Sequence, residues 1–210
     1  MHAAISISVV KRLPRYFRYL GGLLEKGITR ISSKELSLQM DITASQIRQD
    51  FNNFGCFGQQ GYGYHVAMLK DEIGKLLGLT RVYKLVIIGA GNLGQALASN
   101  SRFARRGFEF TALFDIDPTL TGLRVCGLEI KHLDELAPFL AENKIDIAVF
   151  TMPGDNAQDV VDTVLSSGVR GIWNFSNIDL KSTEKVKVQG VHLTDSLMTL
   201  SYMINEKQHV

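Results

Sequence analysis

The sequence predicts an α/β protein: a mostly parallel, doubly wound sheet, preceded by a small helical module and followed by one apolar C-terminal helix. Three observations carry this. Short apolar runs at 85–88, 110–114, 145–150 and 172–175, separated by helix-like stretches, have the pattern of strands buried on both faces of a parallel sheet. Before residue 80 the apolar residues recur three and four apart instead, as on amphipathic helices. Two glycine clusters, at 55–63 and 89–94, separate a module, a connector and a larger domain. At about 150 residues per domain, 210 residues suit one full core and one smaller one, with boundaries expected at 1–80, 81–192 and 193–210.

Composition narrows the classes. Hydrophobic residues make up 45% and charged residues 21%, which excludes a disordered or fibrous chain. The net charge of +2 is too small to argue for a polyanionic partner, but its distribution is uneven. Through residue 80 there are ten Lys/Arg against six Asp/Glu, and the remainder is mildly acidic, so the two parts are expected to meet different partners. Cys56 and Cys126 lie far apart without a CxxC, which speaks against a disulfide framework or a structural metal and for a reducing cytoplasm. No apolar run approaches the roughly 18 residues of a membrane span. The basic cluster Lys11, Arg12, Arg15, Arg18 follows the apolar residues 1–10 rather than preceding them, opposite to a secretory signal.

In chain order, Phe17, Leu20, Leu23 and Leu24 predict an amphipathic helix over 13–26, with Pro14 in its first turn. Ser33 precedes Leu36 and Met40 of a second helix, and Thr43 is a good N-cap for a third that ends at Gly55. At about 100° per residue, Phe51 and Phe54 fall within about 40° of Ile47 on either side, and the three form a buried face. Ser45, Gln49 and Asn52 lie opposite, flanked by Arg48 and Asn53, all residue types that hydrogen-bond base edges or phosphates. A helix-turn-helix results, with the aromatic and glycine-rich segment 55–64, including Gln59, Gln60 and Tyr62, as a wing beside it. The alternative is a helical dimerisation or capping module with a solvated face, and Arg12 and Arg15 are either phosphate contacts or part of that face. Val66, Leu69, Ile73, Leu76 and Leu77 then mark a connector helix stopped by Gly78.

Gly89, Ala90, Gly91, Asn92, Leu93, Gly94 form a GxGxxG directly after the run 85–88, opening a helix expected to continue through Leu97 to Phe103. Gly89 suits the tight turn, Gly91 leaves room for a pyrophosphate, and Gly94 lets the helix approach the sheet. Asp115 stands 21 residues past Gly94 at the end of the next strand, where a carboxylate accepts hydrogen bonds from ribose hydroxyls. With Asp117 beside it and no Arg, the site favours NAD(H) over NADP(H). The loop Thr151, Met152, Pro153 follows the run 145–150 at the carboxyl edge of the sheet and is expected to face the nicotinamide half, with Asn174 and Phe175 lining the same pocket or, for Phe175, serving as core. Apolar surroundings near Met152, Pro153 and Phe175 would favour a neutral ring over a cationic one.

The last helix, about 195–204, carries Leu197, Met198, Leu200, Tyr202 and Met203 around much of its surface and is expected to be buried against something. Two other readings share the α/β part. One is a small NAD-dependent dehydrogenase, but His65, His132 and His192 suggest no catalytic constellation and only 60 residues follow Phe150. The other is a CoA-binding or other nucleotide-binding module, which needs no recognition helix. Cys126 is most simply a buried small residue.

Across nearly the whole chain the sequence resembles the redox-sensing transcriptional repressor Rex family. The motifs are Arg12-Leu13-Pro14, Ser32-Ser33-x-Glu35-Leu36, Gln46-Ile47-Arg48-x-Asp50-Phe51 with Phe54-Gly55, Gly61-Tyr62-Gly63-Tyr64, the glycine loop, Phe114-Asp115-Ile116-Asp117 and Asn174-Phe175, in that order. The resemblance implies a winged helix on double-stranded operator DNA, a Rossmann domain that senses NADH against NAD+, release of DNA by NADH, no enzymatic activity, and a homodimer whose last helix swaps into the partner. It also implies an intersubunit ion pair between Arg12 and Asp195. Gln49, Gln59 and Gln60 stand where many relatives carry basic residues, so a shallower salt dependence of DNA binding is expected.

Overall fold

The computed structural model describes residues 5–53, 55, 62–154 and 158–206, which divide into two units, Met1–Arg81 and Val82–Val210. In the first unit, helix α1 (Ile7–Glu25) buries Val9, Leu13, Tyr16, Leu20 and Leu23 along one side. It starts a turn and a half before the expected Leu13, so Pro14 lies inside the helix rather than in its first turn. Val9 extends the buried stripe past the proline, whose exposed ring sacrifices only a backbone bond. Strand β1 (Arg30–Ile31) follows, then α2 (Ser33–Met40). Its cap is Ser32, in a reciprocal box: the Glu35 amide donates to Ser32 Oγ at 3.1 Å and the Ser32 amide donates to Glu35 Oε2 at 2.7 Å.

Helix α3 (Ala44–Asn52) is capped by Thr43 as its sequence suggests, with the Gln46 amide donating to Thr43 Oγ1 at 3.2 Å, but it ends at Asn52 rather than Gly55. Strand β2 (Tyr64–His65) pairs antiparallel with β1, Ile31 opposite Tyr64, and closes the base of the wing. A Cβ on Gly63 would lie 2.5 Å from the Ile31 carbonyl oxygen, and φ is +67° there, so glycine is required for that return. Cys56, Gln59, Gln60 and the expected core residue Phe54 lie outside the described residues. Phe51 sits between Tyr16 and Tyr64, edge-on to both at 5.0 and 4.9 Å, and α4 (Val66–Leu76) completes this core with Val66, Leu69 and Ile73.

The second unit is built on β3 (Tyr83–Ile88), α5 (Asn92–Ala98), β4 (Phe108–Asp115), β5 (Arg124–Val125), β6 (Leu128–His132), α6 (Leu136–Glu142), β7 (Ile147–Phe150), α7 (Gln158–Ser166), β8 (Gly171–Asn174), β9 (Lys187–Gly190) and α8 (Leu193–Glu206). The sheet order is β5-β6-β4-β3-β7-β8-β9, and only the β5–β6 pairing is antiparallel. Leaving β5 aside, this is the Rossmann order 3-2-1-4-5-6, with the chain reversing direction across the sheet between β3 and β7. The four strands legible in the sequence are β3, β4, β7 and β8; β5, β6 and β9 are short or partly exposed and show no apolar run.

Two local expectations are corrected. Helix α5 stops at Ala98 instead of reaching Phe103, because Ser99 Oγ donates to the Gln95 carbonyl and Asn100 Oδ1 accepts the Arg102 amide, drawing the backbone out of the helix. Cys126 is exposed, not buried: with φ +50°, followed by Gly127 at +85°, it forms the two-residue turn of the β5–β6 hairpin.

One face of the sheet is covered by α6 and α7, whose Leu136, Leu140, Val160, Val161 and Val164 pack on Val86, Phe114, Ala148 and Phe150. On the other face α5 supplies Leu97 and Ala98. Beside it an open apolar groove of about 430 Å³ remains, lined by Phe103, Phe108, Ile147, Trp173 and the β9 residue Gln189 among others. All side chains of α8 through residue 205 are exposed, including Leu197, Met198 and Tyr202. Among the described residues, the burial expected for this helix is not found.

Candidate functional site

The glycine loop leaves the end of β3 at the point where the strand order reverses, the usual ligand crevice of an open α/β sheet. Three side chains clamp it. Asp115, at the end of β4, accepts the Ala90 amide on Oδ2 at 2.6 Å; Thr151 Oγ1 donates to the Gly89 carbonyl at 2.7 Å; Gln95 Nε2 donates to the Ala90 carbonyl at 2.7 Å. A Cβ on Gly89 would meet the Met152 nitrogen at 2.7 Å, and one on Gly94 would meet the Gly89 oxygen at 2.1 Å, so both glycines are sterically required. A Cβ on Gly91 would meet nothing within 4 Å. That open side of the loop is the room a pyrophosphate needs, and no side chain caps α5 there.

A pocket of about 470 Å³ opens at this loop. Of the expected cofactor residues, Gly89, Gly91, Asp115, Thr151, Met152 and Pro153 line it. Asn92 and Leu93 begin α5, and Gly94 packs beneath the loop. Asn174 is buried and occupied, its Oδ1 accepting from the Ser176 amide and hydroxyl at 3.0 and 2.6 Å and its Nδ2 donating to the Ile178 carbonyl at 2.8 Å. Phe175 packs edge-on against Trp173 at 4.5 Å and does not line the pocket. The sequence reading missed Ile116 and Leu133, two aliphatic walls at the Asp115 end. Ile116 is 73% exposed, an apolar residue directly after the acid, and that was its signal; Leu133 had none. The second carboxylate, Asp117, is tied into a turn by the Thr119 hydroxyl and amide, which hold it below the ordinary carboxylate value.

On the first unit, α3 presents Ser45, Arg48, Gln49 and Asn52 to solvent, and Arg48 Nη1 donates to Ser33 Oγ at the start of α2 at 3.2 Å. Arg15 is exposed on α1. Tyr62 is exposed at the base of the wing, with the Arg30 guanidinium 5.9 Å from its ring centroid; the sequence reading missed Arg30 because only the β1–β2 pairing brings it there. Gln46 and Arg12 face elsewhere. Arg12 Nε and Nη2 donate to Asp50 Oδ2 and Oδ1 at 2.7 and 2.6 Å, and Gln46 Nε2 donates to Asp50 Oδ1 at 2.8 Å. Tyr16 OH adds a bond to Oδ2 at 2.7 Å. Burial alone would push the Asp50 carboxyl up, but the bonds from Arg12, Tyr16 and Gln46 outweigh it and hold Asp50 below its ordinary value. Burial, with the bond to Asp50, raises Tyr16 in turn, and the Asp50 bond raises Arg12. Asp195 is exposed in the first turn of α8.

Among the described residues no cluster of His, Cys, Asp or Glu is placed to hold a metal, and no helix is long and apolar enough to cross a membrane. A winged helix-turn-helix unit and a Rossmann unit with a dinucleotide-type crevice, in one chain, define the class of ligand-binding proteins built on a DNA-binding module. The chain is 53% identical over 202 residues to the redox-sensing transcriptional repressor Rex of Clostridium kluyveri and 54% identical over 202 residues to that of Clostridioides difficile, covering 96% of this chain and 96% of each relative. It belongs to the Rex family. The profile described as "Putative DNA-binding protein N-terminus" matches residues 4–52, and that described as "CoA binding domain" matches residues 80–178. Among solved structures, RSP in complex with β-NAD+ and operator DNA superimposes with a TM-score of 0.91 at 50% identity, covering 98% of this chain and 95% of that one. RSP in complex with β-NADH gives 0.90 at 47% identity, covering 98% and 97%.

Proposed function

We propose that this chain is a homodimeric repressor that holds a palindromic operator when free or loaded with NAD+ and leaves it when NADH binds, acting in the cytoplasm. The observation that carries this is the clamped glycine loop, with Asp115 bonded to Ala90 at the mouth of the pocket, in the same chain as the exposed polar face of α3. Residues 1–80 bind DNA, 81–192 bind the cofactor and 193–210 dimerise. The matched relatives are named repressors.

Gly91 leaves the approach for the pyrophosphate, Asp115 accepts the ribose hydroxyls, and Ile116 and Leu133 flank the adenine end. When bound, the dinucleotide supplies a nicotinamide ring that differs by one positive charge between its two redox forms. Met152 and Pro153 offer that ring little hydration, which disfavours the cationic form. A switch requires differential affinity between two protein states, and linkage makes the effect reciprocal: whatever factor NADH removes from DNA affinity, DNA removes from NADH affinity. Ser45, Arg48, Gln49 and Asn52 read bases or phosphates, with Arg15 and Tyr62 beside them, and Gln59 and Gln60 in the wing. The apolar α8 and the apolar groove at Trp173 complement each other, so the helix of one subunit covers the groove of its partner. Arg12 is held by Asp50 through Nε and Nη2 with 28% of its side chain exposed, and there it pairs with Asp195 of the partner subunit.

Fluorescence anisotropy of a labelled palindromic duplex at fixed salt, with the protein alone, with NAD+ and with NADH, tests the reading. Binding lost only with NADH is the expected result. Equal binding in all three states, or equal NADH affinity with and without the duplex, refutes it.

A further inference from the structure

Asp50 is fully buried on the inner side of α3, the helix whose outer side carries the exposed polar residues. Four donors fill its two oxygens: Arg12 Nη2 and Gln46 Nε2 on Oδ1, Arg12 Nε and Tyr16 OH on Oδ2, all within 2.6 to 2.8 Å. Arg12 and Tyr16 lie one turn apart on α1, and Gln46 and Asp50 one turn apart on α3. The network therefore fastens one helix to the other through bonds with direction. A buried ion pair is a weak source of net stability, because desolvation offsets most of the attraction. The apolar contacts of Ile47 and Phe51 hold α3 against the core and choose its buried face, but burial carries no direction, and the oriented bonds to Asp50 narrow the rotation within that face.

We propose that Asp50 is a positioning residue for operator recognition: through Arg12 and Tyr16 it sets the rotation of α3, and so the direction in which Ser45, Arg48, Gln49 and Asn52 face DNA. The proposal rests on the repressor reading. It makes a prediction whose sign separates it from simple electrostatics. Asp50 is a negative charge in a module that binds a polyanion, so removing it without altering α3 strengthens binding to every duplex alike. Releasing α3 instead weakens binding to the operator selectively, since only base contacts depend on the angle.

The test uses the full-length protein with the variants Asp50→Asn and Tyr16→Phe, each first melted to establish that it is folded at the assay temperature. Affinities for the operator palindrome and for a scrambled duplex of the same length are measured at one salt concentration. In Asp50→Asn a donor amide replaces one acceptor oxygen and faces Arg12 together with either Gln46 or Tyr16, and the ratio of operator to scrambled affinity is expected to fall about tenfold or more, with scrambled binding unchanged or tighter. Tyr16→Phe keeps the charge and the ring and removes one of the four bonds; a fall of about threefold is expected. A role confined to stability lowers the melting temperature and leaves the ratio unchanged, and that result in either folded variant overturns the proposal. If Asp50→Asn does not fold, Tyr16→Phe alone decides. A parent protein with no preference for the operator overturns the repressor reading and this proposal with it, whereas a parent preference that either folded variant retains in full overturns this proposal alone.

Discussion

Replacing Asp115 by Asn changes one atom and tests the cofactor pocket most directly. The two carboxylate oxygens accept two different backbone amides, Ala90 on Oδ2 at 2.6 Å and Asp117 on Oδ1 at 2.9 Å. A carboxamide has one acceptor oxygen, so its nitrogen must face one of those amides donor to donor. Either the Asp117 turn or the glycine loop loses a charge-assisted bond, worth about 1.5–3 kcal/mol, and the ribose hydroxyls lose a charged acceptor as well. With about 2 kcal/mol expressed in binding, NADH affinity falls about 30-fold. NADPH affinity falls less, because the charge that repels a ribose phosphate is gone too. Titrations followed by reduced-nicotinamide fluorescence measure both constants, with a thermal melt to show that the variant is folded. A folded Asp115→Asn protein that binds NADH within threefold of the parent would falsify the assignment of Asp115 to the ribose.

Other consequences are equally concrete. Gly94→Ala places a Cβ 2.1 Å from the Gly89 oxygen and 3.1 Å from Thr151 Oγ1, so the loop must move. About 1–3 kcal/mol of stability is expected to go with NADH binding, and an unshifted melting curve counts against the packing argument. Leu197→Glu, which removes an apolar contact of about 1.5–3 kcal/mol from each half of a symmetric interface, should leave monomers at micromolar concentration by light scattering and shift Trp173 emission to the red. A variant that remains dimeric refutes the pairing of α8 with the groove. Because the Asp50 carboxyl lies below its unfolded value of about 3.9, its stabilisation is complete above that pH and is lost as pH falls through the lower folded value. Asp50→Asn should therefore show a shallower loss of stability below about pH 4 in acid denaturation, and parallel curves for variant and parent contradict it.

Much of the fold was legible because its signals are local. The runs that became β3, β4, β7 and β8 are buried on both faces, and such strands are continuous in sequence. The Thr43 cap and the glycine loop were legible for the same reason, since a cap or a tight turn is set by a few adjacent residues. Strands β5, β6 and β9 lie toward the margins of the sheet, where β6 buries one residue and β5 and β9 none, so no apolar run forms. The sequence favours a buried Cys126, because cysteine is among the most often buried residue types, but the hairpin needs two residues of positive φ there. Start and stop signals also compete. Ser99 and Asn100 ended α5 early, and a buried Val9 carried α1 back past Pro14.

By itself, then, the sequence determined the two-part division, the parallel sheet, the glycine loop with its acid, and the polar outer face of α3, all features that periodicity or a short spacing encodes. Tertiary structure alone decided that Ile116 and Leu133 wall the pocket, that Asn174 is occupied in its own loop and Phe175 turned to Trp173, and that Arg12 and Gln46 converge on Asp50. The Arg12–Asp50 contact joins residues 38 positions apart, and even the local bonds of Asn174 form only because β8 and the loop after it are packed as they are. A side chain's partner is set by which helices and strands pack together, and that choice depends on the whole core, not on the residues beside it in the chain.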